Sequence, residues 1–82
     1  MEQFVYSPKS LGLAIRRRRK EKKLNQNEAG KSFNLLQRTV SSIENGAPGT
    51  QIDTIFRMLA ALDLEMIIRS KTRTQKLSGE NW

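Results

Sequence analysis

The chain has 82 residues, with 15 Lys and Arg against 8 Asp and Glu, so its formal net charge is +7. It contains no His and no Cys, which excludes zinc fingers, iron–sulfur clusters, disulfide frameworks and serine–histidine or thiol nucleophiles built within the chain. We therefore expect one small basic domain that is not an enzyme and holds no metal or cofactor. A chain of this size hides only about 60–65% of its unfolded surface, so a second subunit is expected to add to the core.

Two features of the sequence bear on where the protein acts. The longest apolar stretch, from Met58 to Leu62, is far shorter than a membrane-spanning helix. The polar start Met-Glu-Gln also differs from the basic first part of a secretory signal. We therefore expect a cytoplasmic protein.

The cations are concentrated in one part of the chain. Residues 9–38 hold ten of the fifteen Lys and Arg residues but only two acids, and residues 16–20 form an unbroken basic run. This concentration indicates a polyanionic partner, although a solvated helix face or a membrane-surface helix can have the same composition. The apolar stripe of residues 52–62 favours a globular core over a membrane-surface peptide.

Helix-start signals divide the first half of the chain. Ser7 followed by Pro8 predicts the N-cap and the first position of a helix. Asn25 and Glu28 have the spacing of a capping box and predict a second, short helix. That helix is expected to end near Asn34, because asparagine tolerates the left-handed conformation of a helix C-terminus.

Apolar residues at helical spacing predict a third helix over residues 37–45 and a fourth one after the Gly- and Pro-containing break at 46–49. Thr50, with Asp53 three residues later, is predicted to cap the fourth helix. In the second and third helices, the side chains expected to face inward are Ala29, Phe33, Leu36, Val40 and Ile43. The fourth helix is the most amphipathic, and its predicted core residues are Ile52, Ile55, Phe56, Leu59, Ala60 and Leu62.

The hydrophobic period changes from 3.6 to 2 after Asp63, which predicts one strand whose apolar face is Leu64, Met66 and Ile68. A lone strand leaves its backbone groups unpaired. Its partner is either the short segment Phe4–Tyr6 or the same strand of a second subunit, and we favour the second subunit. From residue 70 onward the composition predicts a flexible basic tail that ends in Trp82.

Two short helices joined by a tight turn, the second with a polar outer face, form the helix-turn-helix that docks in the DNA major groove. Residues 24–46 resemble the helix-turn-helix of the phage-repressor-like (Cro/C1, XRE) family without insertion or deletion. The resemblance rests on Leu24, Asn25, Gln26, Glu28, Val40, Ser41, Ile43, Glu44, Asn45 and Gly46. It covers roughly residues 10–62 and implies an all-α, lambda-repressor-like domain of four to five helices that binds double-stranded DNA.

The same resemblance implies which side chains read the DNA sequence. Gln37 and Arg38 fall at the start of the recognition helix, where the family contacts base edges. Glutamine can pair with adenine and arginine with guanine. Ser41 and Ser42 fall further along the same face and are expected to make shorter-range base contacts.

Other positions are expected to hold the DNA backbone or the fold. The family's phosphate contacts fall on Gln26, Asn27 and Asn45, with help from backbone N–H groups at the start of the second helix. Arg19 and Glu44 fall at positions that form a buried or half-buried ion pair in the phage repressors. This pair would tie the first helix to the end of the recognition helix.

The chain departs from the family pattern at four positions. Ala29 and Gly30 replace the usual Leu and Ala, and Asn34 replaces the usual Gly of the turn. A glycine inside a helix costs about 1 kcal/mol relative to alanine, so the second helix is expected to be less stable than usual. Leu36 stands where Ser or Thr commonly caps the recognition helix, which removes about 1 kcal/mol of capping.

The two ends of the chain resemble one branch of this family, the HipB-like antitoxins. The resemblance rests on Tyr6-Ser7-Pro8 before the first helix, the strand at 62–68 and the final Glu80-Asn81-Trp82. It implies a homodimer that binds palindromic operator DNA and represses its own operon, with the C-terminal strands paired across the two-fold axis. It also implies a HipA-like serine/threonine kinase toxin as a partner, with Trp82 as a candidate toxin contact.

The sequence thus predicts a DNA-binding domain at 7–62, a dimerisation strand at 63–69 and a flexible basic tail at 70–82. Two alternatives remain open. One is a phage or restriction-modification type repressor that has no toxin partner. The other is a protein-interaction module whose basic face binds an acidic partner and which has lost DNA binding.

Overall fold

The structure, a computed structural model, describes residues 2–71 and assigns four helices to them. The helices are α1 (Pro8–Glu21), α2 (Gln26–Lys31), α3 (Gln37–Glu44) and α4 (Ile52–Ala61). This arrangement confirms the predicted all-α fold class. Among the described residues, no helix is long and apolar enough to cross a membrane.

Side-chain caps determine where the first two helices begin, as predicted. The Ser7 hydroxyl accepts a hydrogen bond from the Ser10 N–H, and Ser10 Oγ accepts one from the Ser7 N–H, both at 3.0 Å. Pro8 occupies the first turn. At α2, Asn25 and Glu28 exchange the same pair of bonds, each at 2.8 Å. These bonds satisfy backbone donors that the start of a helix leaves without partners.

The turn between α2 and α3 begins earlier than predicted. α2 ends at Lys31 instead of near Asn34. The Gly30 carbonyl accepts hydrogen bonds from the N–H groups of both Phe33 (3.1 Å) and Leu35 (2.9 Å), which closes the turn tightly. Asn34 adopts the left-handed conformation expected of it, with φ of 57°.

The prediction that Phe33 and Leu36 face inward is wrong, because both side chains are exposed, Leu36 by 57%. Leu35 occupies the core position between α2 and α3 instead. The left-handed backbone at Asn34 reverses the chain, so the next side chain turns inward. Leu36 has the extended backbone of an N-cap residue and projects outward.

The start of α4 also differs from the prediction. Gln51, and not Thr50, is the N-cap residue, and it makes no capping side-chain hydrogen bond. The Thr50 hydroxyl donates to the Ala47 carbonyl at 3.5 Å instead. The Thr50 hydroxyl therefore bonds within the loop after α3, one residue before the N-cap position.

α4 contributes to the core along one narrow stripe. The core residues of α4 are Ile55, Met58 and Leu59, and its C-cap residue Leu62 is also buried in the core. The prediction that Ile52, Phe56 and Ala60 are also buried is wrong, because all three are exposed. They are spaced four residues apart and share a second face of α4, which no helix among residues 2–71 covers.

Residues 64–71 follow α4 without forming a helix or a strand ladder with any other part of the described chain. Leu64 packs against the core, and its N–H donates to the Leu59 carbonyl at 2.8 Å. Arg69 lies 5.4 Å from the ring centroid of Phe4, so the segment Phe4–Tyr6 contacts the C-terminal segment through side chains and not through a sheet. Strand pairing across a dimer stays a prediction, and Trp82 lies outside the described residues.

Glycine allows two close approaches around α3. At Gly12 of α1, a Cβ would overlap the backbone carbonyl oxygens of Ile43 and Glu44. At Gly30, a Cβ would lie 2.6 Å from the Leu35 carbonyl oxygen. Gly30 therefore permits the tight turn, which helix propensity alone does not reveal.

We expect Gly30→Ala to lower the melting temperature, although alanine is the better helix former by about 1 kcal/mol. The new Cβ would lie 2.9 Å from Leu35 Cβ as well as against its carbonyl, so the turn has to open. Thermal unfolding followed by circular dichroism measures the effect. Asn27→Ala, at an exposed position of the same helix, is the control and is expected to keep or raise the melting temperature. A higher melting temperature for Gly30→Ala would contradict the close approach.

Candidate nucleic-acid interface

The outer face of α3 carries polar side chains on a short, rigid helix. Its exposed or half-buried residues are Gln37, Arg38, Ser41 and Ser42. The opposite face buries Val40 and Ile43 in the core, which fixes the orientation of the helix. The outer face therefore offers hydrogen-bonding groups to solvent, as contact with base edges requires.

A chain of hydrogen bonds links this face to the start of α2. Gln37 Nε2 donates to Gln26 Oε1 at 2.6 Å, and Gln26 Nε2 donates to Glu44 Oε1 at 3.1 Å. Because an ionised carboxylate only accepts hydrogen bonds, Glu44 determines which end of the Gln26 amide faces it. Gln26 in turn determines the orientation of the Gln37 amide. The first residues of α2 and α3 are therefore held as one unit.

An ion pair between α1 and α3 supports the two glutamines. Arg19 Nε donates to Glu44 Oε2 at 2.6 Å, and Arg19 Nη2 donates to Glu44 Oε1 at 2.9 Å. The third donor, Arg19 Nη1, bonds to the Leu24 carbonyl at 2.9 Å. The side chains of Arg19 and Glu44 are only 11% and 3% exposed. Charges are buried at this depth only when they are paired and hydrogen-bonded, as these are.

The ionisation of Glu44 reflects two opposing effects. Burial opposes ionisation, but hydrogen bonds from Arg19 and Gln26 outweigh it and hold the pKa of Glu44 below its ordinary value of 4.5. The hydrogen bond to Glu44 raises the pKa of Arg19. A lowered carboxyl pKa means that the pair stabilises the fold above pH 4.5 and that this stabilisation is lost as the pH falls through the pKa of the folded state.

The other predicted site residues lie around the hydrogen bonds that link Arg19, Glu44, Gln26 and Gln37, but their side chains do not take part in them. Asn27 is exposed in the first turn of α2, and Asn45 is exposed as the C-cap residue of α3. Arg38 and Ser42 are exposed on α3, and Ser41 is half-buried.

Sequence reasoning missed the two hydrogen bonds that Gln26 makes. It named Gln26, Gln37 and Glu44 separately, as a phosphate contact, a base contact and a structural acid. The available signal was a glutamine at the first position of both helices, eleven residues apart. The spacing alone could not reveal their contact, because that depends on how closely α2 and α3 approach.

The fold and this interface define a helix-turn-helix DNA-binding domain. Residues 15–67 match the model of the family described as Helix-turn-helix. The antitoxin HipB of Escherichia coli strain K12 is 33% identical over 66 residues, which cover 80% of this chain and 75% of that protein. HipB of E. coli O6:H1 strain CFT073 has the same identity over the same length, with 70% of that protein covered.

Solved structures of HipB are similar throughout the described fold. A HipB–O4 20mer complex has a TM-score of 0.79 and 32% identity, and the match covers 84% of this chain and 97% of that one. A HipA–HipB–O2–O3 complex has a TM-score of 0.80 and 31% identity, covering 87% of this chain and 100% of that one. The chain belongs to the HipB family of helix-turn-helix, DNA-binding antitoxins.

We expect Glu44→Gln to lower the free energy of unfolding at neutral pH by about 3–5 kcal/mol, because Arg19 is left buried without its counter-charge. The difference from the wild type should shrink as the pH falls below 4.5 and through the lowered pKa of the folded state, where the wild-type carboxyl also takes up a proton. Urea unfolding at several pH values measures both effects.

Glu28→Gln is the matched control for this prediction, because Glu28 is an exposed acid and a glutamine can replace it in the capping box. We expect its unfolding free energy to stay close to that of the wild type. Equal losses for the two variants would contradict a stabilising role for the buried pair.

Proposed function

We propose that the chain binds operator DNA as a homodimer, represses its own toxin–antitoxin operon and binds a HipA-like serine/threonine kinase toxin. The observation that carries the DNA-binding part of this proposal is the series of hydrogen bonds from Arg19 through Glu44 and Gln26 to Gln37. It joins Gln26, which we assign to a DNA phosphate, to Gln37, which we assign to a base edge. Contact with the DNA backbone thereby positions the side chain that reads the sequence.

The hydrogen-bonding groups that Gln37 leaves unused support its assignment to a base contact. Its amide has two N–H donors and one carbonyl acceptor, and Gln26 uses only one of the donors. The remaining N–H and carbonyl are the pair that binds N7 and N6 of adenine. Arg38 is exposed next to it and can contact guanine, with Ser41 and Ser42 making shorter contacts.

The backbone contacts are assigned to Gln26, Asn27 and Asn45. The first turn of α2 has N–H groups with no acceptor inside the helix, and they lie next to Gln26 and Asn27. The positive end of the helix dipole also favours a phosphate there. Asn45 marks the other end of the recognition helix, so phosphates on both sides of one major groove can be held.

We expect Arg38→Ala to weaken binding to the DNA upstream of the chain's own gene by about 1–3 kcal/mol and to relax the preference at one base pair. Fluorescence anisotropy with duplexes substituted one base pair at a time measures both effects. Lys31→Ala, which removes an exposed cation from the far end of α2, is the control for loss of charge. A uniform loss across native and scrambled duplexes would contradict base reading by Arg38.

Exposed apolar side chains support the homodimer. Met66 is 46% and Ile68 is 90% exposed, whereas Leu64 already packs partly against the core. On α4, Ile52 and Phe56 are exposed by 61% and 50%. A second copy would cover these surfaces and provide a partner for the strand that Leu64, Met66 and Ile68 are proposed to form.

The dimer gives the mechanism of repression. Two recognition helices related by a two-fold axis would enter successive major grooves about 34 Å apart on one face of a palindromic duplex. A protein bound there occupies the promoter and keeps polymerase away. The chain acts at the DNA by occupancy and needs no reaction of its own.

We expect Met66→Lys to shift the chain toward the monomer, because the charge would have to be buried in the paired interface. Sedimentation equilibrium at several protein concentrations measures the change. Leu13→Lys is the control, since Leu13 is an exposed apolar residue of α1 at 54% exposure and lies outside the proposed interface. Equal dimer dissociation constants for wild type and Met66→Lys would contradict the strand pair.

The proposed toxin partner rests on family membership and on the similarity to the HipB chain of the HipA–HipB–O2–O3 complex. Within this chain, Trp82 is the proposed toxin contact and lies outside the described residues. We expect deletion of residues 70–82 to reduce capture of the kinase encoded beside the gene while keeping operator affinity within about tenfold. Pull-down and anisotropy measure the two effects.

Each outcome of this deletion bears on one part of the proposal. Unchanged kinase capture would move the toxin contact to the helical domain. A loss of operator affinity greater than tenfold would mean that the tail binds phosphates. Failure of the full chain to capture any such kinase would favour a repressor without a toxin partner.

A further inference from the structure

The basic run of α1 divides into residues with different surroundings. Arg17 lies 3.8 Å and Arg18 lies 3.6 Å from carboxylate oxygens of Glu21. Arg18 Nε also donates to the Leu62 carbonyl at 2.9 Å, which ties α1 to the end of α4. Arg19 is buried against Glu44, so three of the five cations have partners inside the fold.

The other two cations of the run belong to a row on the exposed surface of α1. Lys9, Arg16 and Lys20 are all exposed, and none forms an ion pair with another residue in the range 2–71. At 3.6 residues per turn, these three positions fall within about 40° of arc. We define them as the α1 cationic row.

The row lies beside the helix-turn-helix. A Cβ built on Gly46 would lie 2.7 Å from Lys9 Cα, so Lys9 is next to the residue that follows Asn45. Further along, Arg16 lies close enough to Glu44 to help lower the pKa of that carboxyl. Glu44 is itself bonded to Gln26. The row therefore runs from the exposed end of α3 toward the start of α2.

We propose that Lys9, Arg16 and Lys20 bind DNA backbone phosphates beside the bases that α3 reads, which extends the DNA contact onto α1. This inference rests on the proposed DNA binding. A phosphate chain is the favoured partner because the row is continuous with Asn45 and Gln26, the assigned phosphate contacts at both ends of the motif. Such contacts add affinity and fix register but carry no sequence preference.

The test compares Arg16→Gln with Arg17→Gln in the full chain. Each variant loses one exposed cation from neighbouring positions, but only Arg16 belongs to the row. Anisotropy titrations use a duplex of the chain's own upstream DNA and a random duplex of equal length, between about 50 and 200 mM salt. The measured quantity is the slope of log binding constant against log salt concentration, and thermal unfolding checks that both variants fold.

We expect Arg16→Gln to make the slope shallower by about 0.9 on both duplexes, and the triple neutral variant of the row by about 2.7. Arg17→Gln should leave the slope unchanged. Equal slopes for Arg16→Gln, Arg17→Gln and the wild type would overturn the inference and leave the proposed function intact. A wild-type chain that binds the upstream and random duplexes equally would instead contradict sequence-specific DNA binding itself.

An apolar neighbour of the row points to an acidic protein as the alternative partner, which the same variants can test. Leu13 is 54% exposed between Lys9 and Arg16, and an apolar residue among cations also suits an acidic protein surface. If the row variants kept the wild-type salt slope but lost capture of the kinase, the row would be a protein-docking surface and the phosphate proposal would be wrong.

Discussion

The ion pair between Arg19 and Glu44 connects the three parts of this small domain that have to keep fixed relative positions. The guanidinium uses three separate donors, two on Glu44 and one on the Leu24 carbonyl, so α1, the end of α3 and the segment before α2 meet at one side chain. Both charges are almost fully buried, and neither is stable there alone. Because the core of a chain this short is small, such a directional contact has a large share in fixing the helix orientations.

The same carboxylate determines how the surface above it is arranged. One oxygen of Glu44 accepts from both Arg19 and Gln26, and Gln26 then accepts from Gln37. The orientation of an amide at the surface thus follows from a buried charge two hydrogen bonds away. For Gln37 in its proposed role as a base contact, this arrangement means that less rotational freedom is lost on binding.

Within the part of the chain that the structure describes, apolar surface between residues 52 and 68 has no partner. The core uses one narrow stripe of α4, while Ile52 and Phe56 on its second face remain exposed, together with Met66 and Ile68. In a domain that can bury only part of its apolar surface alone, this pattern is typical of a chain completed by association. Dimerisation and DNA binding would then depend on each other, since two recognition helices must be set at one spacing.

Local signals in the sequence determined the elements that depend on neighbouring residues. The N-cap at Ser7, the capping box at Asn25, the left-handed Asn34 and the helix-turn-helix spacing were all predictable, because each depends on residues within a turn or two. Only the tertiary structure decided which apolar residues are buried, and it buries Leu35 where Leu36 was expected. It also decided that Gly30 is required at the turn and that Gln26 bonds to both Glu44 and Gln37. These features depend on the distances between packed helices. The hydrophobic period of a sequence predicts which residues share a helix face, but it does not predict which other helix packs against that face.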